Sequence, residues 1–432
     1  MNKPQFIYGL DDRPPVGYAL LYGLQWAMII FPALIIVSTL CAKALQMEPA
    51  DEVRFFQLIL LSSGFFTSVQ SLFGHRYPLL DGPATALLLT FIVLVPHGLP
   101  AIQGGTMLGG GLLVVLVLTG QLKRIIPYAT PNIVGVILML IGFSLLPHIA
   151  GSMCCTSDSS QNQGSPLVFL FSLSLALLIA CLSYWLSGFW KTVSLLVGMG
   201  LGTLFFSVVA PLDWSQWESA RWISAPGKWI PTVPRLYWPA VIAFAASYLA
   251  VLVNSLGSLH GIAQVTDEER LPLSIKRGIL LNGIGGIFTG LFGIVGTVCF
   301  SISPGVVLAN RVSSRYATFA AGLILMMAAF LPRMAALLAI VPAPVVGATL
   351  CVAMGAQIGA AFSIISTNGI TTRDYYVVGL PLMIGTLTGF LPEAFMASVP
   401  SVWRVFLGNG LIVGILLALL LEHVLMRKKT AS

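Results

Sequence analysis

The chain has 432 residues, of which 57% are apolar and only 9% charged, and its mean hydropathy is +0.93. Soluble domains carry roughly 25% charged residues, so this composition excludes most soluble-enzyme readings. The formal net charge is +7, but the Lys and Arg residues lie in short loops between apolar runs rather than on one basic face, which excludes a nucleic-acid partner. The chain is expected to live in a bilayer with membrane lipid as its surroundings.

From the amino terminus, Met1 to Pro15 carries Asp11, Asp12 and Arg13 and lacks a short apolar core ending in small residues, so no signal peptide is expected. Crossing about 30 Å of hydrocarbon takes roughly 20 apolar residues as a helix. Windows near that length fall at 16–42, 55–74, 77–96, 104–122, 129–149, 166–187, 192–212, 238–262, 278–293, 294–310, 316–332, 335–365, 375–392 and 405–425, fourteen in all. Two are interrupted. The 33 uncharged residues between Arg277 and Arg311 are too many for one straight crossing and too few for two complete ones, and they contain Gly293, Gly296, Pro304 and Gly305. Asp81-Gly82-Pro83 breaks the third window. Such breaks are tolerated at membrane depth only where backbone is buried in protein or lines a cavity.

The breaks fall in opposite halves of the chain. Pro131-Asn132-Ile133-Val134-Gly135 is similar to Ala343-Pro344-Val345-Val346-Gly347 at an offset of 212, and Pro83 and Pro304 are 221 apart. Seven segments per half is an odd number, so the second half enters the membrane inverted. The expected fold is an all-α polytopic membrane protein with 14 transmembrane segments in two inverted 7-segment repeats. Broken helices at matching positions of inverted repeats are the pattern of secondary transporters, with the site near the midplane. With both termini in the cytoplasm, fifteen Lys and Arg residues lie inside and seven outside, the asymmetry that topology requires. The loop from about 213 to 237 is then external, and Trp214, Trp217, Trp222 and Trp229, with Trp238 just after it, are read as interfacial anchors, an aromatic ligand cage being the alternative.

Ionisable side chains at membrane depth are functional candidates, and Asp81 is the carboxylate well inside a span. It either caps the segment over Gly82 and Pro83 or is a protonatable group beside the substrate. Gln25, Gln70, Asn132, Asn254, Gln264, Asn282 and Gln357 fall in spans or at their ends, where amides commonly bridge helices. Asn254 is distinguished by Ser255, Gly257, Ser258 and His260 after it, a polar patch on an apolar helix. Cys41, Cys181, Cys299 and Cys351 lie in apolar stretches and are read as small hydrophobes, while Cys154 and Cys155 are adjacent in a polar loop. Nothing has the spacing of a nucleophilic triad, a metal cluster or a phosphate loop, so neither enzyme activity, metal nor cofactor is expected. Gly104 to Gly111 is explained by close helix packing.

Several motifs together resemble the nucleobase-ascorbate transporter family of uracil and xanthine permeases, with putative purine permeases nearest. They are Tyr8-Gly9-Leu10-Asp11-Asp12-Arg13-Pro14-Pro15, Gly23-Leu24-Gln25, Arg311-Val312-Ser313-Ser314-Arg315-Tyr316, the run from Ile340 to Gly347, and Asn409-Gly410-Leu411-Ile412-Val413-Gly414. The resemblance implies a cytoplasmic amino terminus (1–15), a core domain from 16–122 and 238–333 (segments 1–4 and 8–11), a gate domain from 123–237 and 334–426 (segments 5–7 and 12–14), and a cytoplasmic tail (427–432). It also implies a homodimer in the cytoplasmic membrane and proton-coupled uptake of a nucleobase, purine, xanthine or uracil. The third and tenth segments would begin as short extended strands crossing at the site. Its substrate residues map onto Asn254, Ser258, Phe300, Ser301, Ile302, Ser303, Ala84, Thr85 and Gln25; the candidate for proton coupling, taken from its depth in a span rather than from the resemblance, is Asp81. The family's two usual carboxylates are replaced by Asn254 and Ile302. The alternatives are a sulfate-permease-like transporter of a small anion or other heterocycle, and an uncoupled facilitator or channel.

Overall fold

The computed structural model describes residues 6–154, 165–209, 211–212, 214–367 and 369–426. Lys3, Cys155 and the Arg427-Lys428-Lys429 run, on which part of the topology expectation rests, lie outside the described residues. Apolar runs of this length satisfy their backbone groups in lipid through the intrahelical ladder, and the chain is mostly helical. In order, the main helices are α1 (Val16–Ala44), α2 (Pro49–Leu72), α3 (Thr85–Leu94), α4 (Leu99–Leu118), α5 (Pro131–Ser144), α6 (Leu146–Cys154), α7 (Pro166–Trp185), α8 (Ser194–Val209), α9 (Trp238–Val265), α10 (Leu271–Phe292), α11 (Ser303–Asn310), α12 (Arg315–Ala329), α13 (Ala343–Ser366), α14 (Thr372–Thr388) and α15 (Gly410–Leu420). Prolines open many of them, at Pro49, Pro100, Pro131, Pro166, Pro239, Pro272, Pro304 and Pro344, where the missing N–H costs nothing. Seven helical runs among the described residues are long and apolar enough to cross a membrane, and four shorter apolar ones accompany them.

Several windows differ from their expected bounds, three of them for reasons the sequence explains. The ninth begins at Leu271 rather than 278, because Lys276 and Arg277 extend their heads from a helix whose start is set by Pro272. The 335–365 window is divided into a short helix, Pro332–Ala339, and α13. Pro342 and Pro344, lacking N–H groups, prevent one continuous ladder there. Likewise 129–149 divides at Leu145, ahead of Pro147, into α5 and α6.

The helices pack as two groups. In one, α12 packs on both α2 and α1 while α4 packs on α9 and α10; in the other, α5, α14 and α15 pack together and α13 lies on α5, α6 and α7. Gly64 and Gly322 set the α2–α12 approach, since a Cβ on Gly64 would stand 2.6 Å from the Gly322 carbonyl oxygen.

Two strands cross within the first group. β1 (Asp81–Pro83) pairs antiparallel with β2 (Thr297–Cys299) in the register Asp81 to Cys299, Gly82 to Val298 and Pro83 to Thr297. The residue before Pro83 is driven to extended backbone, and Thr297 and Val298 are β-branched. The Ala84 N–H donates to Gly296 O at 2.8 Å and the Phe300 N–H to Leu80 O at 2.8 Å, lengthening the ribbon at both ends. Gly82 leaves room beside it, because a Cβ there would meet Ile30 Cδ1 at 2.7 Å and the Phe300 ring at 3.2 Å. Helices α3 and α11 start from opposite ends of this ribbon.

Candidate functional site

The ribbon determines what can stand around its ends. Its antiparallel register directs the amino termini of α3 and α11 at the crossing from opposite sides. Their N-cap residues, Ala84 and Ile302, make no side-chain cap hydrogen bond, so the positive ends of both helix dipoles are left to the crossing. Beside it, Ser301 Oγ donates to Asn254 Oδ1 of α9 at 2.9 Å. Asn254, Phe300, Ser301, Ile302 and Thr85 all keep solvent exposure, Ile302 as much as 47%.

The other expected residues serve the frame. Ser258 is buried, with Oγ 3.2 Å from Cys299 O and 3.0 Å from Asn254 O, so it ties α9 to β2. Ser303 is buried and its Oγ accepts from the Leu80 N–H at 3.4 Å, fixing the start of α11 to the chain entering β1. Ala84 is packed, and Gln25 is buried in α1, so neither belongs to the exposed set. Exposed His260 has Nδ1 2.8 Å from Leu256 O in its own helix.

The side-chain neighbours of Asp81 are His75 and Cys299 rather than Asn254 or Ser301. Its side chain is 0% exposed, with Oδ2 3.5 Å from His75 Nε2 and Oδ1 3.7 Å from Cys299 Sγ. Thr67 Oγ1 holds its backbone, accepting from the Asp81 N–H at 2.9 Å. His75 lies in the turn between α2 and β1, where Arg76 adopts a φ of 58°, and its Nδ1 accepts the Tyr77 backbone N–H at 3.0 Å. A backbone amide is always a donor, so the neutral ring carries its hydrogen on Nε2, toward Asp81. The donor atoms of His75, Asp81 and Cys299 lie within 4.8 Å of one another, a spacing that would suit a metal ion. An Nε2 bearing hydrogen has no lone pair to give, so the residues do not fit one.

Cys299 therefore departs from its reading as a small hydrophobe. It shares a polar layer with Asn282, whose Nδ2 is 3.9 Å from Sγ and donates to Ser255 Oγ at 2.7 Å, and with Gln70, whose Nε2 donates to Asn282 Oδ1 at 2.8 Å. His75 was not singled out from the sequence at all. Its one signal is a histidine six residues before Asp81, between a helix and a broken segment.

The sequence comparisons agree with this architecture. The chain is 24% identical to the uric acid permease PucK of Bacillus subtilis, over 96% of each chain. It is 25% identical to the xanthine permease XanP of Escherichia coli, over 98% of this chain and 95% of that one. Among solved structures, the transmembrane domain of the cyanobacterial bicarbonate transporter BicA superposes with a TM-score of 0.58 at 16% identity, covering 85% of this chain and 94% of that one, a likeness of fold. A family described as "Permease family" matches residues 17–394, and with its several apolar helices the chain is a multi-pass membrane protein that belongs to that family of transporters.

Proposed function

We propose that this permease takes up a nucleobase, an oxopurine of the urate or xanthine type, across the cytoplasmic membrane by proton symport. The printed activities of PucK and XanP supply the substrate class. The observation that carries the reading is the Ser301–Asn254 hydrogen bond beside two uncapped helix starts. An amide and a hydroxyl offer donors and acceptors to the edge of a planar base. The positive helix ends suit its ring carbonyl oxygens, and Phe300 offers a ring face. Asn254 replaces the family's usual acid with an acceptor that needs no charge.

On this reading the chain forms fourteen segments in two inverted repeats, with 16–122 and 238–333 as the core and 123–237 and 334–426 as the gate. Both termini are cytoplasmic and the working unit is a homodimer. Asp81 is the proton-carrying group, acting from its buried position through its neighbours rather than by touching the base.

Uptake of radiolabelled urate, xanthine, uracil and hypoxanthine into cells lacking their own permeases tests the substrate, with excess unlabelled bicarbonate and sulfate as competitors. Competition by the anions and not by oxopurines would favour the same-fold anion reading. Asp81→Asn tests the coupling: it should still exchange substrate across the membrane but no longer concentrate it when the outside is acidified.

A further inference from the structure

We propose that the Cys299 thiol transmits the protonation state of Asp81 to α9, the helix that holds Asn254. This rests on the proton-symport reading and adds its route. The groups that face the Asp81 side chain and can titrate are His75, from the turn before β1, and Cys299, from β2. The surrounding helices α2, α9 and α10 contribute neutral side chains to the layer, Thr67, Gln70, Ser255 and Asn282.

His75 is fixed. Its Nδ1 is occupied by the Tyr77 N–H at 3.0 Å, and its ring lies nearly parallel to that of Tyr77, with 21° between the planes. Its Nε2 therefore presents a hydrogen to Asp81 Oδ2 and cannot take the proton from it. An added proton goes to the other oxygen, Oδ1, which faces Cys299 Sγ at 3.7 Å.

The thiol has to respond. While the carboxylate is ionised, the S–H points at Oδ1 as donor. Once Oδ1 bears hydrogen, the O–H donates to sulfur and the thiol hydrogen must turn elsewhere. Cys299 has Ser255 Oγ as another hydrogen-bonding neighbour. That oxygen accepts from Asn282 Nδ2 at 2.7 Å and has a second lone pair for the thiol. Asn282 cannot accept instead, because its Oδ1 already takes the Gln70 amide at 2.8 Å. One proton is added, the S–H and the Ser255 O–H both reorient, and no bond between heavy atoms changes. Ser255 is the residue after Asn254, so protonation of Asp81 reverses the hydrogen bond between α9 and β2, the Cys299 thiol becoming donor to Ser255, and release restores it.

The test compares Cys299→Ser and Cys299→Ala in cells lacking their own purine permeases, reading radiolabelled xanthine accumulation in neutral and acidified medium, counterflow exchange and surface expression. Serine keeps a donor and an acceptor, so Cys299→Ser should accumulate xanthine in acidified medium. Cys299→Ala should exchange but accumulate no further than equilibrium. Should Cys299→Ala fail to exchange, Ser255→Ala, which removes the receiving oxygen, carries the same expectation. Accumulation by the alanine variants at the wild-type ratio overturns the relay, as does loss of accumulation in a Cys299→Ser variant that still exchanges. Asp81→Asn separates the two levels: if it concentrates xanthine as wild type does, the symport reading itself fails, whereas if it alone loses accumulation, only the relay fails.

Discussion

Arg373→Met tests how the second helix group is held. Asp374, in the first turn of α14, and Glu422, in the π-helical turn Leu421–Leu425 after α15, are 5% and 7% exposed. Arg373 spans them, Nη1 lying 3.4 Å from Asp374 Oδ1 and Nη2 3.2 Å from Glu422 Oε1. Asn132 of α5 donates to both, at 2.7 Å and 3.2 Å. Removing the cation leaves two buried carboxylates sharing the Asn132 amide, with Asp374 Oδ2 still held by the Thr371 N–H and hydroxyl. Breaking a buried pair in this way costs roughly 3–5 kcal/mol. The guanidinium is itself 17% exposed, so water screens part of the loss and the lower end, about 3 kcal/mol, is expected. Thermal unfolding in detergent, followed by fluorescence-detected size exclusion, should show a clear fall in midpoint for Arg373→Met. Adding Glu422→Gln, which removes one of the stranded charges, should recover most of it. An unchanged midpoint, or a double variant worse than the single one, would refute the reasoning.

Other expectations follow from the packing, the amino-terminal segment and the topology. Gly322→Leu should disrupt the α2–α12 contact, where even a Cβ would come within 2.2 Å of Ser68 Oγ; overpacking of this kind costs about 1–3 kcal/mol, read as a lower midpoint in the same assay. Asp11 accepts from Arg270 and Arg315, at 2.5 Å and 2.7 Å. The Arg270 hydrogen bond, with Arg315 adding to it, holds its carboxyl below the ordinary value of 3.8. Because the folded value is the lower one, the contribution is present above the ordinary range and is lost as pH falls through the depressed value. The segment around Ile7 to Asp12 should therefore resist proteolysis at neutral and mildly acidic pH, and Asp11→Asn should make it cleavable at neutral pH. Membrane-impermeant thiol labelling of intact cells that retain only Cys154 and Cys155 should succeed, whereas labelling only after the membrane is opened would reverse the topology.

The interruptions were readable because Gly and Pro declare themselves by type: Asp81-Gly82-Pro83 and Pro304-Gly305 mark where β1 and β2 give way to α3 and α11. The bridging role of the buried amides was readable for the same reason, and Gln70, Asn282, Asn132 and Gln357 do join helices, the last through Leu138 O at 2.9 Å. The helix starts were less so. Charge does not end a helix whose end is solvated, so Lys276 and Arg277 misplaced the ninth window, and an uncharged run hid the break at Pro342. The surroundings of Asp81 were out of reach because they depend on register. Cys299 is polar in its contacts only because it stands opposite Asp81 in the ribbon, and no property of residues 294–310 alone specifies that partner. His75 reaches Asp81 through a turn whose shape depends on Arg76 in the left-handed region.

Comparing wild type with Asn254→Ala for uptake of radiolabelled urate and xanthine, at matched surface expression in cells without purine permeases, tests the proposed function most directly. Wild type should show saturable uptake that unlabelled oxopurines compete away. The variant loses the acceptor that pairs with Ser301 at 2.9 Å; removing such a partner costs about 1–3 kcal/mol, so its half-saturation should rise roughly ten- to a hundredfold. Wild-type affinity in Asn254→Ala would reduce that residue to a helix-bridging amide, and wild-type cells that take up no nucleobase would contradict the assignment itself.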